Sequence, residues 1–248
     1  MKRNALLIFG LTVLLFSCKE PIDPPPADVD YVQLSMVPFY GTETLSLDST
    51  YTTDEGYRIQ FVNIKAYFCQ LKNGTDVLMN SSLFDFAARG TLLRKVPGDY
   101  TLFSDLKGLI GVDAIQNHAD PAQLANDDPL NIMLSNDMHW DWNPGYIFFK
   151  VEAKADTLVD AVDNLDVILS YHVGGDDNLQ NVNLPGLNWQ AIGARTHEAK
   201  LKMNLKQFFT NPASPIDIKT ERTIHSGAGQ EAVTLKAAQN FKSAISVY

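Results

Sequence analysis

Polar and apolar residues alternate along several short stretches of this chain, a pattern typical of half-buried β-strands. The clearest stretches are residues 32–37 and 58–64. Further strands are predicted at residues 100–103, 146–151, 166–173 and 199–205, and short helical segments at 120–126, 205–209 and 237–243. Short strands separated by turn clusters predict an all-β fold, a two-sheet antiparallel β-sandwich with a few short helical segments.

The first residues have a different pattern. Lys2 and Arg3 precede an apolar run over residues 6–16. The run is shorter than the roughly 20 apolar residues that a transmembrane helix needs, and it has the proportions of a signal peptide. The following Leu15-Phe16-Ser17-Cys18 resembles a bacterial lipobox. We therefore expect cleavage after residue 17 and lipid on Cys18; the alternative is an ordinary secretory signal that happens to contain a cysteine.

A proline-rich segment separates this cysteine from the rest of the chain. Residues 21–28 include four prolines, which favour a stiff, extended spacer. We predict three regions: a signal peptide (1–17), a lipidated cysteine with its linker (18–30) and one β-sandwich domain (31–248). The anchored domain is expected in the bacterial cell envelope, on the outer membrane, facing either the periplasm or the exterior.

Charge and cysteine content narrow the function classes. The chain has 20 basic and 29 acidic residues, which argues against nucleic-acid binding and is compatible with hard cations. Cys69 is the one cysteine besides Cys18, so no disulfide is expected within the mature domain. Its strand-like surroundings favour a buried, inert thiol over a reactive one.

Candidate chemistry is concentrated around a few aromatic and histidine residues. The usual catalytic signatures are missing: there is no G-x-S-x-G elbow, P-loop, H-E-x-x-H or dinucleotide fingerprint, so no enzymatic activity is predicted. His139, Trp140 and Trp142 fall within four positions, His172 ends a predicted strand, and His225 lies in a late loop. Neutral imidazole suits copper and zinc. The alternative for the tryptophan pair is packing at a sheet edge.

The order of motifs along the chain resembles the MbnP-like family, which is named for a periplasmic partner encoded with methanobactin copper peptides. The most specific part is the segment from Met138 to Glu152, followed by Tyr171-His172-Val173-Gly174-Gly175; residues 111–117, 128–130 and, more weakly, 237–241 also match. The sequence departs from the family at 127–130, where Asp-Asp-Pro-Leu replaces the usual leucine-aspartate-proline order. The resemblance spans residues 31–248.

The resemblance implies an exported β-sandwich protein that binds or handles copper without catalysis. In related copper proteins, histidines and a tryptophan oxidised to kynurenine hold copper(I). It therefore implies a site near Trp140 or Trp142, with His172 and His225 as the main imidazoles and His139 as a weaker candidate. Oxidation of tryptophan would require a partner protein, of the di-haem oxidase type.

A second function remains open from the sequence. The domain could be an interaction module for a protein or glycan partner, with the tryptophans as core residues. The acidic loops at Asp113, Asp127 and Asp128 could then hold a structural calcium through carboxylate oxygens.

Overall fold

The computed structural model describes residues 29–135, 137–140, 145–160 and 164–248. The predicted signal peptide, Cys18, most of the linker and Trp142 lie outside these residues. None of the helices in these ranges combines the length and the hydropathy of a membrane-spanning segment.

The described chain is mostly β. Its strands are β1 (Tyr31–Tyr40), β2 (Glu43–Thr44), β3 (Tyr51–Thr52), β4 (Arg58–Asn73), β5 (Asp76–Asp85), β6 (Leu92–Pro97), β7 (Leu106–Ile110), β8 (Ile147–Asp156), β9 (Val167–Gly174), β10 (Gln180–Leu184), β11 (Gln190–Gly193), β12 (Thr196–Asn204), β13 (Thr223–Ile224) and β14 (Ile245–Val247). The helices are α1 (Phe86–Arg89), α2 (Ala114–Asn117), α3 (Leu205–Thr210) and α4 (Glu231–Ser243).

These strands form two mixed sheets within the described residues. The six-stranded sheet has the order β11-β12-β1-β2, with β14 also pairing with β12 and β6 with β1. The eight-stranded sheet has the order β10-β7-β4-β8-β9-β13, with β3 and β5 also pairing with β4. Strand β1 is parallel to β12, and β13 is parallel to β9. The expectation of purely antiparallel sheets was therefore wrong, because long intervening segments allow the crossovers that parallel pairing requires.

Most sequence-predicted elements are confirmed. The alternating segments at 32–37, 58–64, 146–151, 166–173 and 199–205 all coincide largely with strands. Helices α3 and α4 include the helical segments predicted at 205–209 and 237–243, and the segment predicted at 120–126 contains only a 3₁₀ turn, Pro121–Gln123. The prediction at 100–103 was wrong, since Tyr100–Leu102 is a 3₁₀ turn. The Asp99 carboxylate accepts a hydrogen bond from the Thr101 amide at 2.9 Å, and this local cap overrides the strand preference of the aromatic residues.

The two sheets share one apolar core. Alternate residues of β1 and β12 pack with those of β4, β8 and β9 from the other sheet, and α3 and α4 add further aromatic side chains. The rings of Phe149 on β8 and Phe241 on α4 are stacked with centroids 4.0 Å apart. This contact joins the C-terminal helix to the eight-stranded sheet.

The opposite, outer face of the eight-stranded sheet is partly covered by residues 111–135 and 137–140, the covering segment. A second apolar cluster forms there from Tyr67, Leu83 and Phe148 of the sheet with Leu130, Met138 and other residues of the covering segment. Cys69 lies in this cluster and is fully buried, as predicted. Burial raises the pKa of its thiol well above the ordinary value, so this cysteine is held protonated and unreactive.

Beside this cluster, a polar row crosses the outer face. Asp85, Lys65, Lys150 and His172 occupy matching positions on β5, β4, β8 and β9. Asp137 of the covering segment bridges the two lysines, with its oxygens 2.7 Å from Lys65 Nζ and 2.5 Å from Lys150 Nζ. Burial alone would lower the pKa of Lys65, but hydrogen bonding to Asp137 and the charge of Asp85 outweigh it and raise that pKa. The bridge holds the covering segment to the sheet three residues before Trp140.

We predict that Asp137→Ala destabilises the domain by about 1–3 kcal/mol, because it leaves the buried Lys150 ammonium without a carboxylate. This loss of stability is smaller than that expected for a fully buried ion pair, since the Asp137 side chain is 56% exposed. Urea denaturation of the domain lacking residues 1–17 measures the change. Asp127→Ala, on an exposed carboxylate of the same segment, is the control and should change stability by less than about 0.5 kcal/mol.

The effect should also depend on pH. Burial raises the pKa of Asp137, but hydrogen bonds from Lys150 and Lys65 outweigh it, and the folded pKa is lowered. Its contribution is therefore fully present above the unfolded pKa of about 3.9 and is lost as the pH falls through the folded pKa. If the difference in unfolding free energy between the wild type and Asp137→Ala stayed constant into strong acid, the ionic bridge would be contradicted.

Candidate metal centre

Two histidines that are distant in sequence meet on the outer face of the eight-stranded sheet. His172 lies on β9, and His225 directly follows β13, whose Ile224 is paired in parallel with Tyr171. This register places the two histidines side by side. Their ring centroids are 4.7 Å apart, with an interplanar angle of 76°.

The loop that carries His225 is tied to its surroundings on both sides. The His225 amide donates to Gln230 Oε1 at 2.9 Å, and Gln230 Nε2 donates to the Thr223 carbonyl at 3.1 Å. The Gly174 amide donates to Ser226 Oγ at 2.9 Å, which joins the loop to the end of β9. Ser226 adopts a positive φ of 51°, so the chain turns sharply directly after His225.

His172 is partly buried and has a carboxylate partner. Its Nε2 lies 2.7 Å from Glu152 Oε1 and 3.2 Å from Ser170 Oγ, and its side chain is 14% exposed. Burial lowers the pKa of His172, opposed by the hydrogen bond to Glu152 and assisted by the charge of Lys150. At neutral pH the ring is therefore uncharged, the form in which imidazole binds metals.

Glu152 is ionised in this arrangement. Burial raises the pKa of its carboxyl, but hydrogen bonds from His172 and Asn63 outweigh that effect and lower it below its ordinary value. Asn63 Nδ2 donates to Glu152 Oε2 at 3.0 Å. Both carboxylate oxygens are thus held by neighbouring strands.

Trp140 packs against the same strand, two residues beyond His172. A side chain at Gly174 would meet Trp140 Cζ3 at 2.7 Å and the Tyr146 carbonyl oxygen at 2.3 Å, so the indole lies directly on the glycine. Positions 172 and 174 face the same side of the strand. The structure therefore brings His172, His225 and Trp140 to one region of the outer face.

The segment carrying Trp140 is closed as a narrow hairpin. The Trp140 amide donates to the Gly145 carbonyl at 2.9 Å, and the Ile147 amide donates to the Met138 carbonyl at 2.9 Å. His139 pairs with Tyr146 across this hairpin, and its ring lies edge-on to the Tyr146 ring at 4.7 Å. His139 thus packs on the second apolar cluster, whereas Trp140 packs on Gly174. Trp142 lies outside the described residues.

The remaining histidines and the acidic loops have other contacts. His118 Nε2 lies 2.9 Å from Asp176 Oδ2, and the His197 ring is stacked on Tyr100 at 3.8 Å. Asp113 accepts hydrogen bonds from backbone amides at the start of α2, and Asp128 accepts from Ser81 and from the Leu130 amide. Among the described residues, no three histidine, cysteine, aspartate or glutamate side chains are grouped as a metal site.

Sequence reasoning missed the groups around His172. Glu152 could have been noticed as a polar position between the apolar Val151 and Ala153, which places it on the outer face. Asn63 and Ser170 could not, because their contact with Glu152 or His172 depends on the registers between three strands.

Comparison with known proteins identifies the family of this chain. The model of the MbnP family matches residues 29–226. A solved structure of MbnP from Methylosinus trichosporium is similar to this chain with a TM-score of 0.48 and 12% sequence identity, over 73% of this chain and 78% of that chain. No curated protein matches in sequence. The family match covers most of the sequence, including both histidines of the pair and the Trp140 hairpin, and confirms that this chain belongs to the MbnP family.

Proposed function

We propose that this protein is a membrane-anchored, exported lipoprotein that binds copper with His172 and His225 and has no catalytic turnover. The observation that supports it is the contact of the two imidazole rings, 4.7 Å apart, on the face where Trp140 packs on Gly174. Membership of the MbnP family agrees with a role related to methanobactin and copper.

The residues at this position fit a copper ion by their chemistry. Two imidazoles supply borderline nitrogen ligands, which suit copper. Burial favours the uncharged form of His172. Glu152 behind His172 provides the outer carboxylate that commonly orients a metal-binding histidine.

A third ligand would come from the tryptophan hairpin. In the related copper proteins a tryptophan oxidised to kynurenine completes the site, and we assign that role to Trp140 or Trp142. The contact of Trp140 with Gly174 favours Trp140 among the described residues. A di-haem oxidase-type partner would carry out the oxidation. The contact of His139 with Tyr146 makes it the weakest of the proposed ligands.

The location is proposed from the N-terminal sequence. Cleavage before Cys18 and lipidation of its thiol would anchor the domain, with the proline-rich linker as a spacer. Several acyl chains hold a protein on a membrane far more firmly than one, since each buried methylene contributes about 0.8 kcal/mol.

Copper retention tests the main proposal. Protein without its signal, loaded with copper(I) and desalted, should keep near-stoichiometric copper and melt at a higher temperature. His172→Ala should abolish retention, whereas His197→Ala should not, because His197 is stacked on Tyr100 in the other sheet. Absence of both copper retention and thermal stabilisation in the wild type would refute copper binding.

Intact mass tests the modified tryptophan. Protein isolated from its native envelope should be heavier by about 4 Da, the difference between kynurenine and tryptophan. Peptide mapping should locate the change at Trp140 or Trp142. Trp189 is the internal control, since it is not part of the Trp140 hairpin and its Nε1 donates to the Phe103 carbonyl at 2.7 Å. An unmodified hairpin would assign both tryptophans a packing role.

Membrane fractionation tests the anchor. The full chain, expressed in a bacterium that matures lipoproteins, should sediment with membranes and partition into detergent. Cys18→Ser should release it into the soluble fraction, because the thiol that accepts the lipid is gone. Cys69→Ala should remain in the membrane fraction, since Cys69 is buried in the domain. Equal partitioning of the wild type and Cys18→Ser would show that Cys18 is not the anchor.

A further inference from the structure

We propose that Glu152 is a positioning residue that holds His172 as its Nε2–H tautomer, leaving Nδ1 as the nitrogen that can coordinate a metal. This inference rests on the proposed copper-binding role only for the identity of the metal. The tautomer itself is a property of the metal-free protein and can be measured independently.

The hydrogen bond between the two side chains determines where the proton lies. Glu152 Oε1 is 2.7 Å from His172 Nε2. An ionised carboxylate has acceptor sites only, so a contact of this length requires a proton on Nε2. With Nε2 unprotonated, two acceptors would face each other and repel.

Ser170 does not reverse this assignment. Its Oγ is 3.2 Å from the same Nε2, and a hydroxyl can either donate or accept. Because the shorter contact is with the carboxylate, the Nε2–H points to Glu152, and Ser170 is left as a weaker second acceptor. Within the described residues, no hydrogen bond reaches His172 Nδ1.

The carboxylate is itself held in place by a neighbouring strand. Asn63 Nδ2 donates to Glu152 Oε2 at 3.0 Å. Asn63 lies opposite Glu152 because a register shift between Phe61 and Asn63 inserts Val62 as an extra residue in β4. The chain Asn63–Glu152–His172 therefore spans β4, β8 and β9 and fixes the orientation of the imidazole ring.

Such an outer carboxylate is a recurrent feature of histidine metal sites. A ligating histidine commonly donates its second ring N–H to a carboxylate, which sets the tautomer and the ring orientation. The structure contains this second half of the arrangement already formed. The His225 ring lies beside the His172 ring, with centroids 4.7 Å apart. Because Nε2 of His172 is engaged by Glu152, copper held between the two histidines would use His172 Nδ1.

Nitrogen NMR of the metal-free protein without its signal tests the proposal directly. The ¹⁵N shifts of His172, assigned by comparison with His172→Ala, should show a protonated Nε2 and an unprotonated Nδ1. In Glu152→Gln this preference should be lost, because an amide can donate to Nε2 as well as accept from it. A predominant Nδ1–H tautomer in the wild type would overturn the proposal, and so would an unchanged tautomer in Glu152→Gln.

Copper affinity gives a second readout. Glu152→Gln should weaken copper(I) binding about 10–100-fold, the usual effect of removing an outer-shell partner. Glu198→Gln is the matched control. Like Glu152, Glu198 accepts a hydrogen bond from a side-chain amide, that of Gln33, and it has a second donor, the Ser35 hydroxyl, but it lies in the other sheet. Equal weakening in both variants would overturn the assignment of a specific role to Glu152.

Two further measurements keep the outcomes separate. If Glu152→Gln does not fold, Asn63→Ala removes the support of the carboxylate instead and should reduce the tautomer preference in part; no reduction would contradict the proposal. If the wild type has the Nε2–H tautomer but binds no copper, the proposed function fails while the role of Glu152 stands.

Discussion

Charged groups on a partly covered sheet face must find partners there, and this constraint organises the outer face of the eight-stranded sheet. Lys65 and Lys150 lie directly opposite each other on β4 and β8, an arrangement that is destabilising for like charges by themselves. Asp85 on the sheet and Asp137 from the covering segment supply the compensating carboxylates. Because Asp137 lies three residues before Trp140, the same ion pairs that neutralise the lysines also hold the hairpin beside His172.

The histidine pair depends on a much smaller element. Strand β13 has only two residues, and it brings His225 to His172 by parallel pairing with β9. A strand this short contributes few ladder hydrogen bonds, so the side-chain contacts of Ser226 and Gln230 carry much of the attachment. A metal held by both imidazoles would cross-link this loop to the sheet and stabilise the folded state by mass action.

The sequence predicted the parts of the fold that follow from local pattern. Alternation located the long strands, the apolar surroundings of Cys69 predicted its burial, and residues 237–243 lie in α4. It did not predict strand direction, because the parallel partners β1 and β12 are separated by most of the chain. Tyr100 was misassigned because the capping carboxylate of Asp99 determines the local backbone there.

In the candidate site, too, the sequence identified residues by type and motif but not the contacts that depend on strand pairing. His172, His225 and Trp140 could be named because histidine and tryptophan are rare in this chain and match a family motif. Glu152 could be recognised only as an outward-facing polar position, and Asn63 not at all, since their contacts cross strands whose registers include bulges. A single residue of slip in either register would separate these groups.

The register of β9 itself is fixed by its buried side. Tyr171 is fully buried, with its ring edge-on to Phe208 and Phe209 of α3. A slip of one residue would turn Tyr171 outward and place His172 in the apolar core. The domain would then lose buried apolar area and bury an imidazole without its hydrogen-bond partner. The aromatic core on one face of β9 therefore presents His172 and Gly174 on the other. All three groups of the candidate site depend on this strand: His172 belongs to it, His225 reaches it through β13, and Trp140 packs on its glycine.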